Sequence, residues 1–509
     1  MLTRPRIRLL IFSIPFLFLT VSFAGLLTKP GDFHFPYDFW HEFYKLHEKT
    51  WLFLASLAVF YFFAKRKAFE KIFRVLEEWN DLVFLVSIFF AAFLLRITWC
   101  VWVDNQPFGD GIFYLNAARS ILRGTGFANG NLQNGFVPTA VAAPGYSVFL
   151  AFLIRLFGDR IFPVEVAQSL LSASNCCLVY GIAKKVFGKI PAILASLTLM
   201  GCVNAITVSA LYRNEHIYLP LTLGAIYFLV SDLEKESWLK IVIAGILLGL
   251  SDLSRGIMLS FPVTLPVFYL LSGKNLWRGL AKPAVILFGV LAVVLPWTYR
   301  NYQVLGYPIM IASSAGAGFY TMNSPVADPY VTQLVELEKE VPDWRSRHPN
   351  EEVARCLVAQ KRAMDWIRSD FWRFMRLGAG KLISLYSIKS YWSLYENFYF
   401  TKIPDKTRQA VEKPLKKLSI ANYAFHFWWF LVGVFVLFLK VAPHDRIGKK
   451  ILILFVILYL TGIHYLFCGE KRYRYAVEPF IYIISTFAIV YFIDKKRVSS
   501  DASPASSGH

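Results

Sequence analysis

The sequence predicts an all-α polytopic membrane protein with about 12 transmembrane helices, and three observations carry that prediction. The chain of 509 residues is 56% hydrophobic and only 17% charged, which is more apolar surface than one or two soluble cores can hide. Its apolar residues gather in long stretches built on runs such as LVFLVSIFFAAFLL (Leu82 to Leu95) and ILILFVILYLTGI (Ile451 to Ile463). As helices, such stretches cross roughly 30 Å of hydrocarbon, whereas barrel strands would be shorter and alternating. The Lys and Arg residues collect in the short links between the stretches, as they do in cytoplasmic loops facing anionic membrane lipids.

With the N-terminus inside, the predicted spans are 9–27, 50–64, 82–103, 163–183, 191–211, 217–232, 240–254, 257–272, 282–299, 423–440, 451–467 and 477–493. The first follows Arg4, Arg6 and Arg8 but ends in GLLTKPGDFHF without a small-residue cleavage site, so it reads as an uncleaved span. The inner links then carry KRKAFEKIFR (65–74), KKVFGK (184–189), KNLWRGLAK (274–282), APHDRIGKK (442–450) and KKR (495–497). A net charge of +20 would suggest nucleic acid as a partner for a soluble domain; distributed in this way it belongs to topology, and nucleic-acid binding is not expected.

GYSVFLAFLIRLFG (145–158) breaks the alternation. Arg155 interrupts it early, it is too short to span, and counting it as a span would invert every later basic link. It is therefore predicted to be a juxtamembrane helix on the outer face. The organisation that follows is two N-terminal spans (1–81), a transmembrane module (82–300) with a first outer loop (104–162), a large outer segment (301–422), C-terminal spans (423–494) and a disordered tail (495–509). In the large segment, EEVARCLVAQKRAMDWIRSDFWRFMRLGAGKLISLY has apolar residues three and four apart, the spacing of two amphipathic helices. The Gly/Ser-rich SSAGAGFYTMNSPVADP before it reads as a loop. Cys100, Cys176, Cys177, Cys202, Cys356 and Cys468 lack metal-ligand spacing and read as packing residues.

Two acids fall on the outer face from distant segments. Asp110, with Asp104 ahead of it, lies just beyond the span 82–103 in DNQPFGDGIFYLNAARSILRGTGF, and Glu215 stands after the span 191–211 at the head of the span 217–232 in YRNEHIYLPLTL. A carboxylate at a hydrated rim is ionised near neutral pH and suits a general base taking the proton of an acceptor hydroxyl; the plainer reading of Asp110 is a helix cap or surface acid. Glu215 would orient the acceptor, share a divalent cation with Asp110, or pair with Arg213. Arg255, Arg300, Lys471, Arg472 and Arg474 sit at span ends on the same face, against the positive-inside trend. They suit a phosphate group, the alternative being membrane anchoring by snorkelling.

These motifs, taken in order, resemble the GT-C superfamily of polytopic glycosyltransferases, in particular the bacterial family related to protein O-mannosyltransferases and lipid A aminoarabinose transferases. GDGIFYLNAARSILRGTGF is similar to that family's first outer loop, and PTAVAAPGYSVFLAFLIRLFG to its juxtamembrane helix. VEVAQSLLSASNCCLVYGIAKKVFGKIPAILASLTLM, YRNEHIYLPLTL, PWTYRNYQVLGYPIMIASSAGAGFY and EKRYRYAVEPFIYII resemble the pieces that follow. The resemblance begins near Leu82. It implies a polyprenyl-phosphate sugar donor, inversion at the anomeric carbon and a lipid, glycan or protein acceptor, in a bacterial inner membrane with the site on the periplasmic side. It also implies Asp110 as base and Glu215 as the second site acid, with Asp104, Tyr114 and Tyr146 positioning substrate. Gly111 stands where the family usually has an acidic or polar residue, and Gly256 follows Arg255 where the family often has proline. No cofactor is required by the sequence, a divalent cation aside, and no Rossmann-type glycine turn for a nucleotide sugar is present. The competing class, a lipid or lipid-linked-sugar flippase, would line a midplane path with charge; here the charges gather at one rim.

Overall fold

The computed structural model describes residues 54–59, 68–131, 135–272, 275–329, 341–388, 392–399, 403–439 and 447–493. From Ala68 the chain runs α1 (Ala68–Glu78), α2 (Asp81–Val103), α3 (Asp110–Leu122), an antiparallel hairpin of β1 (Ala128–Asn131) and β2 (Gly135–Pro138), α4 (Gly145–Phe157) and α5 (Ile161–Phe187). It continues through α6 (Lys189–Met200), α7 (Val203–Thr207), α8 (Glu215–Glu234), α9 (Trp238–Asp252), α10 (Phe261–Leu271) and α11 (Leu276–Leu305). The last helices are α12 (Ser314–Thr321), α13 (Glu351–Ser369), α14 (Phe371–Leu385), α15 (Trp392–Tyr399), α16 (Asp405–Leu439), α17 (Ile447–Leu466) and α18 (Glu478–Ile493).

Why these sequences make membrane helices is clearest in α2. Asn80 caps it, its side-chain oxygen accepting from the Leu82 and Val83 amides. Phe84, Ile88, Ala92, Arg96 and Cys100 recur every fourth residue and are buried, one stripe of a helix. The opposite side keeps Leu82 and Phe90 69% and 57% exposed, a face that lipid rather than water accommodates. Arg96 lies inside the stripe, donating to Ser172 Oγ (2.8 Å) and to the carbonyls of Ala92 and Leu199. A buried cation thus fastens α2 to α5 and α6 through hydrogen bonds in place of an acid.

Among the described residues, six helices (α2, α5, α8, α11, α16 and α17) are long and apolar enough to cross a bilayer, and a seventh span is made if α6 and the segment Val203–Ala210, bent by 55°, count together. The predicted span 9–27 lies outside the described residues, as does the tail 495–509, and of 50–64 only 54–59 are described, as helix. The other ten predicted spans each fall on a helix, yet α9, α10 and α18 have only 15, 11 and 16 residues. At about 1.5 Å per residue these reach less than roughly 30 Å, because their apolar runs include the turns that end them. The count of about twelve is therefore not reached among the described residues.

Two ends of the bundle are distinguished by charge. At one, Lys282 pairs with Asp232 (2.6 Å), Lys185 and Lys449 with Glu234 (2.6 Å each), and Lys184 and Lys189 with Asp81. At the other end, α4 keeps both termini on one face. The Gly145 amide donates to Leu253 O at the end of α9, and Asp159, just past α4, pairs with Arg119 of α3. Its 13 residues run along that face as predicted.

The two amphipathic helices of the large segment are α13 and α14, capped by Asn350 and Asp370. The first half of the Gly/Ser-rich stretch read as a loop, Ser314–Thr321, is helical instead, while 322–329 is turn and irregular chain. In α12 a Cβ on Gly316 would stand 2.9 Å from the Cys356 Cα of α13, so the small residues let the two helices touch, and that contact offsets their poor helix propensity.

Candidate active site

The site is assembled where α2 and α9 end and α5 and α8 begin, on the face opposite the lysine cluster. After α2 the chain turns through Asp104 in a left-handed conformation (φ 46°), which Asp tolerates better than most residues. Asn105 donates to Asn397 Oδ1 (2.9 Å), and α3 begins at Asp110, whose side chain is 55% exposed. From the other side the turn after Ala210 delivers Arg213, and Glu215 opens α8 with its side chain fully buried.

Between them lies a closed set of six charges. Arg213 donates to Asp110 Oδ2 (2.6 Å) and to Glu396 Oε2 (3.0 Å). Arg472 donates to Glu215 Oε1 (2.9 Å) and to Asp110 Oδ2 (3.3 Å), and Arg255 donates to that same Glu215 oxygen (2.8 Å). Three carboxylates meet three guanidiniums, so the cluster is neutral as it stands, which is the condition under which buried ions persist. Burial opposes the charge on Arg472, but Glu215, Tyr473 and Asp110 outweigh it and hold its pKa well above the ordinary value. Burial lifts the Glu396 carboxyl above its usual range against the pull of Arg213 and Arg472.

The expected partners of Glu215 change accordingly: it pairs with Arg255 and Arg472, while Arg213 goes to Asp110 and Glu396. Two residues expected to meet phosphate are committed elsewhere. Arg300 donates to the carbonyls of Thr139 (2.7 Å) and Phe127 (2.6 Å) and lies over Trp297, stapling the hairpin to α11. Arg474 is fully buried, paired with Glu478 (2.9 Å), donating to Leu385 and Ser387 carbonyls and stacked 3.6 Å from the Tyr423 ring centre. Lys471 neighbours Arg472 on a short 3-10 helix and is partly buried. Tyr146 is also withdrawn from any open surface: it is fully buried and gives its hydroxyl to Gln168. Tyr114, 7% exposed, packs edge-on against it at 5.1 Å. Both tyrosines brace α3 on α4, because their rings fill the space between the two helices.

Gly111 has a physical reason. A Cβ there would come within 2.8 Å of Tyr212 Cβ and 3.3 Å of its carbonyl oxygen, so the close approach of α3 to the Arg213 turn excludes any side chain. Glu396 was not singled out from the sequence; it lies in SLYENFYF, at no span end, and only folding brings it to Arg213. Among the described residues no group of three or more His, Cys, Asp and Glu is gathered to hold a metal ion; Asp110 and Glu215 face arginines.

Arg255 also lines a cavity of about 880 Å³ bounded by the α9–α10 turn, residues 307–322, α13 and the end of α17. Its walls are largely apolar, with Ile257, Ile311, Phe319 and Phe467 among them, and Tyr473 and His464 stand near the arginine. Arg255 rests 4.2 Å from the Tyr473 ring centre, a cation–π contact that keeps the guanidinium at the cavity wall.

Residues 141–299 match the family described as dolichyl-phosphate-mannose-protein mannosyltransferase. No curated protein sequence matches. Among solved structures the chain is similar to the oligosaccharyltransferase AglB of Archaeoglobus fulgidus in complex with an inhibitory peptide and a dolichol-phosphate. The identity is 16% over 85% of this chain and 53% of that one, and the TM-score is 0.48. The chain thus spans about half the length of that relative. It is also similar to ArnT of Cupriavidus metallidurans bound to undecaprenyl phosphate, at 12% identity, 82% and 79% coverage and a TM-score of 0.39.

Proposed function

We propose that the chain is a membrane glycosyltransferase of the GT-C superfamily, in keeping with the family match over residues 141–299, and that it moves a sugar from a polyprenyl-phosphate donor to an acceptor hydroxyl with inversion, on the periplasmic face of a bacterial inner membrane. One observation carries this reading: exposed Asp110 is joined through Arg472 to Glu215 and Arg255 at the wall of an apolar cavity. That arrangement offers a base in water, cations for a phosphate and an apolar volume for a lipid chain. A family described by its dolichyl-phosphate-mannose donor agrees with it.

In this reading the donor phosphate is held by Arg255 and Arg472. A phosphate arriving at Arg472 competes with the longer of its carboxylate contacts, 3.3 Å to Asp110, and leaves Asp110 with Arg213. The acceptor hydroxyl gives its proton to the Asp110 carboxylate as its oxygen bonds to the anomeric carbon. The bond from that carbon to the phosphate oxygen breaks, and polyprenyl phosphate departs with the electron pair. The arginines stabilise the charge that gathers on the leaving phosphate, and Glu215 keeps two of them in position.

The test is transfer by the purified protein in nanodiscs from a panel of radiolabelled polyprenyl-phosphate sugars to lysate acceptors. Asp110→Asn is expected to lose at least about 100-fold in turnover while the protein stays folded, since that side chain is more than half exposed and Arg213 and Arg472 keep Glu396 and Glu215 as partners. Transfer retained in that variant would overturn the base assignment. Label that moves across the bilayer without transfer from any donor would turn the reading to a flippase.

A further inference from the structure

The last turns of α3, the hairpin and the chain just past α4 bound a second cavity, of about 400 Å³, lined by Asn116, Arg119, Arg123, Phe136 and Asp159 among others. Its cations are reachable and largely unspent. Arg119 gives Asp159 only its Nε (2.7 Å), and its side chain stays 39% exposed. Arg123 is exposed, and its guanidinium lies over Phe136, 5.3 Å from the ring centre, with no hydrogen bond or ion pair among the described residues. Arg155 and Arg160, either side of Asp159 in the chain, are exposed as well. Between residues 111 and 164 these four arginines stand against one acid, Asp159. They lie at the end of the bundle opposite the lysine cluster, where the positive-inside rule disfavours them, so they call for a reason.

The helix beside the cavity says what reaches it. α4 buries Tyr146, Leu150 and Leu153. It exposes Val148, Phe152 and Leu156, four residues apart and each more than half exposed, and Phe157 and Phe162 add to that apolar surface. A helix with such a stripe lies at the boundary of headgroups and acyl chains. The arginines at its end therefore stand at headgroup depth, their stems along apolar surface and their guanidiniums in water. What that layer offers a guanidinium is the phosphodiester of a phospholipid, whose oxygens match its planar fork. Charge makes the remaining choice. A zwitterionic headgroup brings an ammonium along with its phosphate and gains little from a surplus of arginine, whereas an anionic headgroup neutralises part of that surplus.

We propose that this cavity is a headgroup site for an anionic phospholipid of the surrounding bilayer, with Arg119 and Arg123 donating to its phosphodiester. Both cations are positioned before the lipid arrives, Arg119 by Asp159 and Arg123 by the Phe136 ring. Asn116, in the same wall and without a side-chain partner among the described residues, meets the polar end of the headgroup. The helix α3 begins at Asp110 and ends at this cavity. The lipid thus tethers to the bilayer surface the same helix that carries the candidate base at its other end.

The experiment is a lipid titration of the full-length protein, purified in detergent, by native mass spectrometry. The probes are dioleoyl phosphatidylglycerol, which is anionic, and dioleoyl phosphatidylcholine, which is zwitterionic. The wild type is expected to bind the glycerol lipid more tightly than the choline lipid. Arg123→Gln and Arg119→Gln should each lower that preference about fivefold, the worth of one guanidinium at a membrane surface. Affinity for the choline lipid should hardly move, which also shows that the variants are folded. Asp159→Asn breaks the same ion pair as Arg119→Gln but leaves the cation in place, so it should keep or raise the preference; it separates the loss of a phosphate ligand from the loss of a bridge. Equal affinities for the two lipids in the wild type, an unchanged preference in both arginine variants, or a loss in Asp159→Asn equal to that in Arg119→Gln would overturn the headgroup site. Displacement of the glycerol lipid by equimolar inorganic phosphate would make it a site for a soluble anion and overturn its assignment to the bilayer.

Discussion

Arg472 and Arg474 lie two residues apart and do different work. Both looked alike in the sequence as basic residues at a span end, because a sequence shows where a charge enters the membrane rim but not which way the side chain turns. On the 3-10 helix, Arg472 faces Asp110 and Glu215, whereas Arg474 turns inward to Glu478. Arg472→Gln is expected to raise the KM for the lipid donor about tenfold with little change in Tm, since Arg255 still neutralises Glu215. Arg474→Gln should instead lower stability by about 3 kcal/mol, because it leaves a buried carboxylate without its partner; thermal melts beside donor kinetics separate the two. Asp110, Glu215 and Arg255 were legible as charges at one rim from their positions at span ends, and the structure brings them into one ion-pair cluster. Arg300 and Tyr146 were not separable from them until their hydrogen bonds were seen. Lys381 gives a prediction of another kind. Fully buried in α14, it donates to Asn323 Oδ1 (2.7 Å), and burial lowers its pKa from 10.5 to about 7. Below pH 7 the ammonium is charged both folded and unfolded, and the cost of burying it is fully present. Between about 7 and 10.5 the unfolded chain binds more protons than the folded one, so stability rises with pH. Tm measured from pH 6 to 10 should rise for the wild type relative to Lys381→Met across that window and run parallel to it below; a constant gap would show that burial does not depress the group.

The element that ties the pieces of the site together is α15, an eight-residue helix with no span-like signal of its own. Ser393 bonds Thr207 Oγ1 (2.7 Å) and Asn204 Oδ1 (3.0 Å). Asn397 donates to the Thr207 carbonyl (2.7 Å) and accepts from Trp99 Nε1 (3.2 Å) and Asn105 (2.9 Å). Through one side chain the helix therefore ties the end of α2, the loop that carries Asp110 and the segment that carries Arg213, and it supplies Glu396 to the cluster. Asn397→Ala removes that brace without touching a charge. It should cost transfer about tenfold in turnover and hasten amide hydrogen exchange over 104–110, with donor affinity little changed; unaltered exchange there would show that the loop is held by the ion pairs alone. Periodicity disclosed α13 and α14, whose apolar residues repeat over many turns. It could not disclose α12 or α15, because two turns carry too little pattern and the tertiary contacts at Gly316 and Asn397 decide the outcome. The β1–β2 hairpin was missed for the same reason.

At the scale of the molecule, charge sorts the two ends of the bundle. Asp81, Glu234 and Asp232 bind the lysines of one end, while the arginines of the other end are taken up by Asp110, Glu215 and Glu396. Lysine presents a hydrated point charge suited to a lipid–water boundary, and arginine a planar fork suited to carboxylate and phosphate. The lysine end is thus the one the positive-inside rule assigns to the cytoplasm, and in the proposed function the arginine end is the one that would meet donor and acceptor. This orientation follows from composition and link positions alone, without any motif. It also depends on α4 remaining on one face, since a crossing there would exchange the two sides for everything after it. Single cysteines introduced at Gln106 and Lys235, both exposed at opposite ends, test it in intact cells with a membrane-impermeant maleimide; four of the six native cysteines are buried, and Cys177 and Cys468 are replaced by serine as background. Gln106→Cys is expected to label in intact cells and Lys235→Cys only after permeabilisation. The reverse pattern would put Asp110 in the cytoplasm, and with it the donor, the acceptor and every assignment that depends on a periplasmic site.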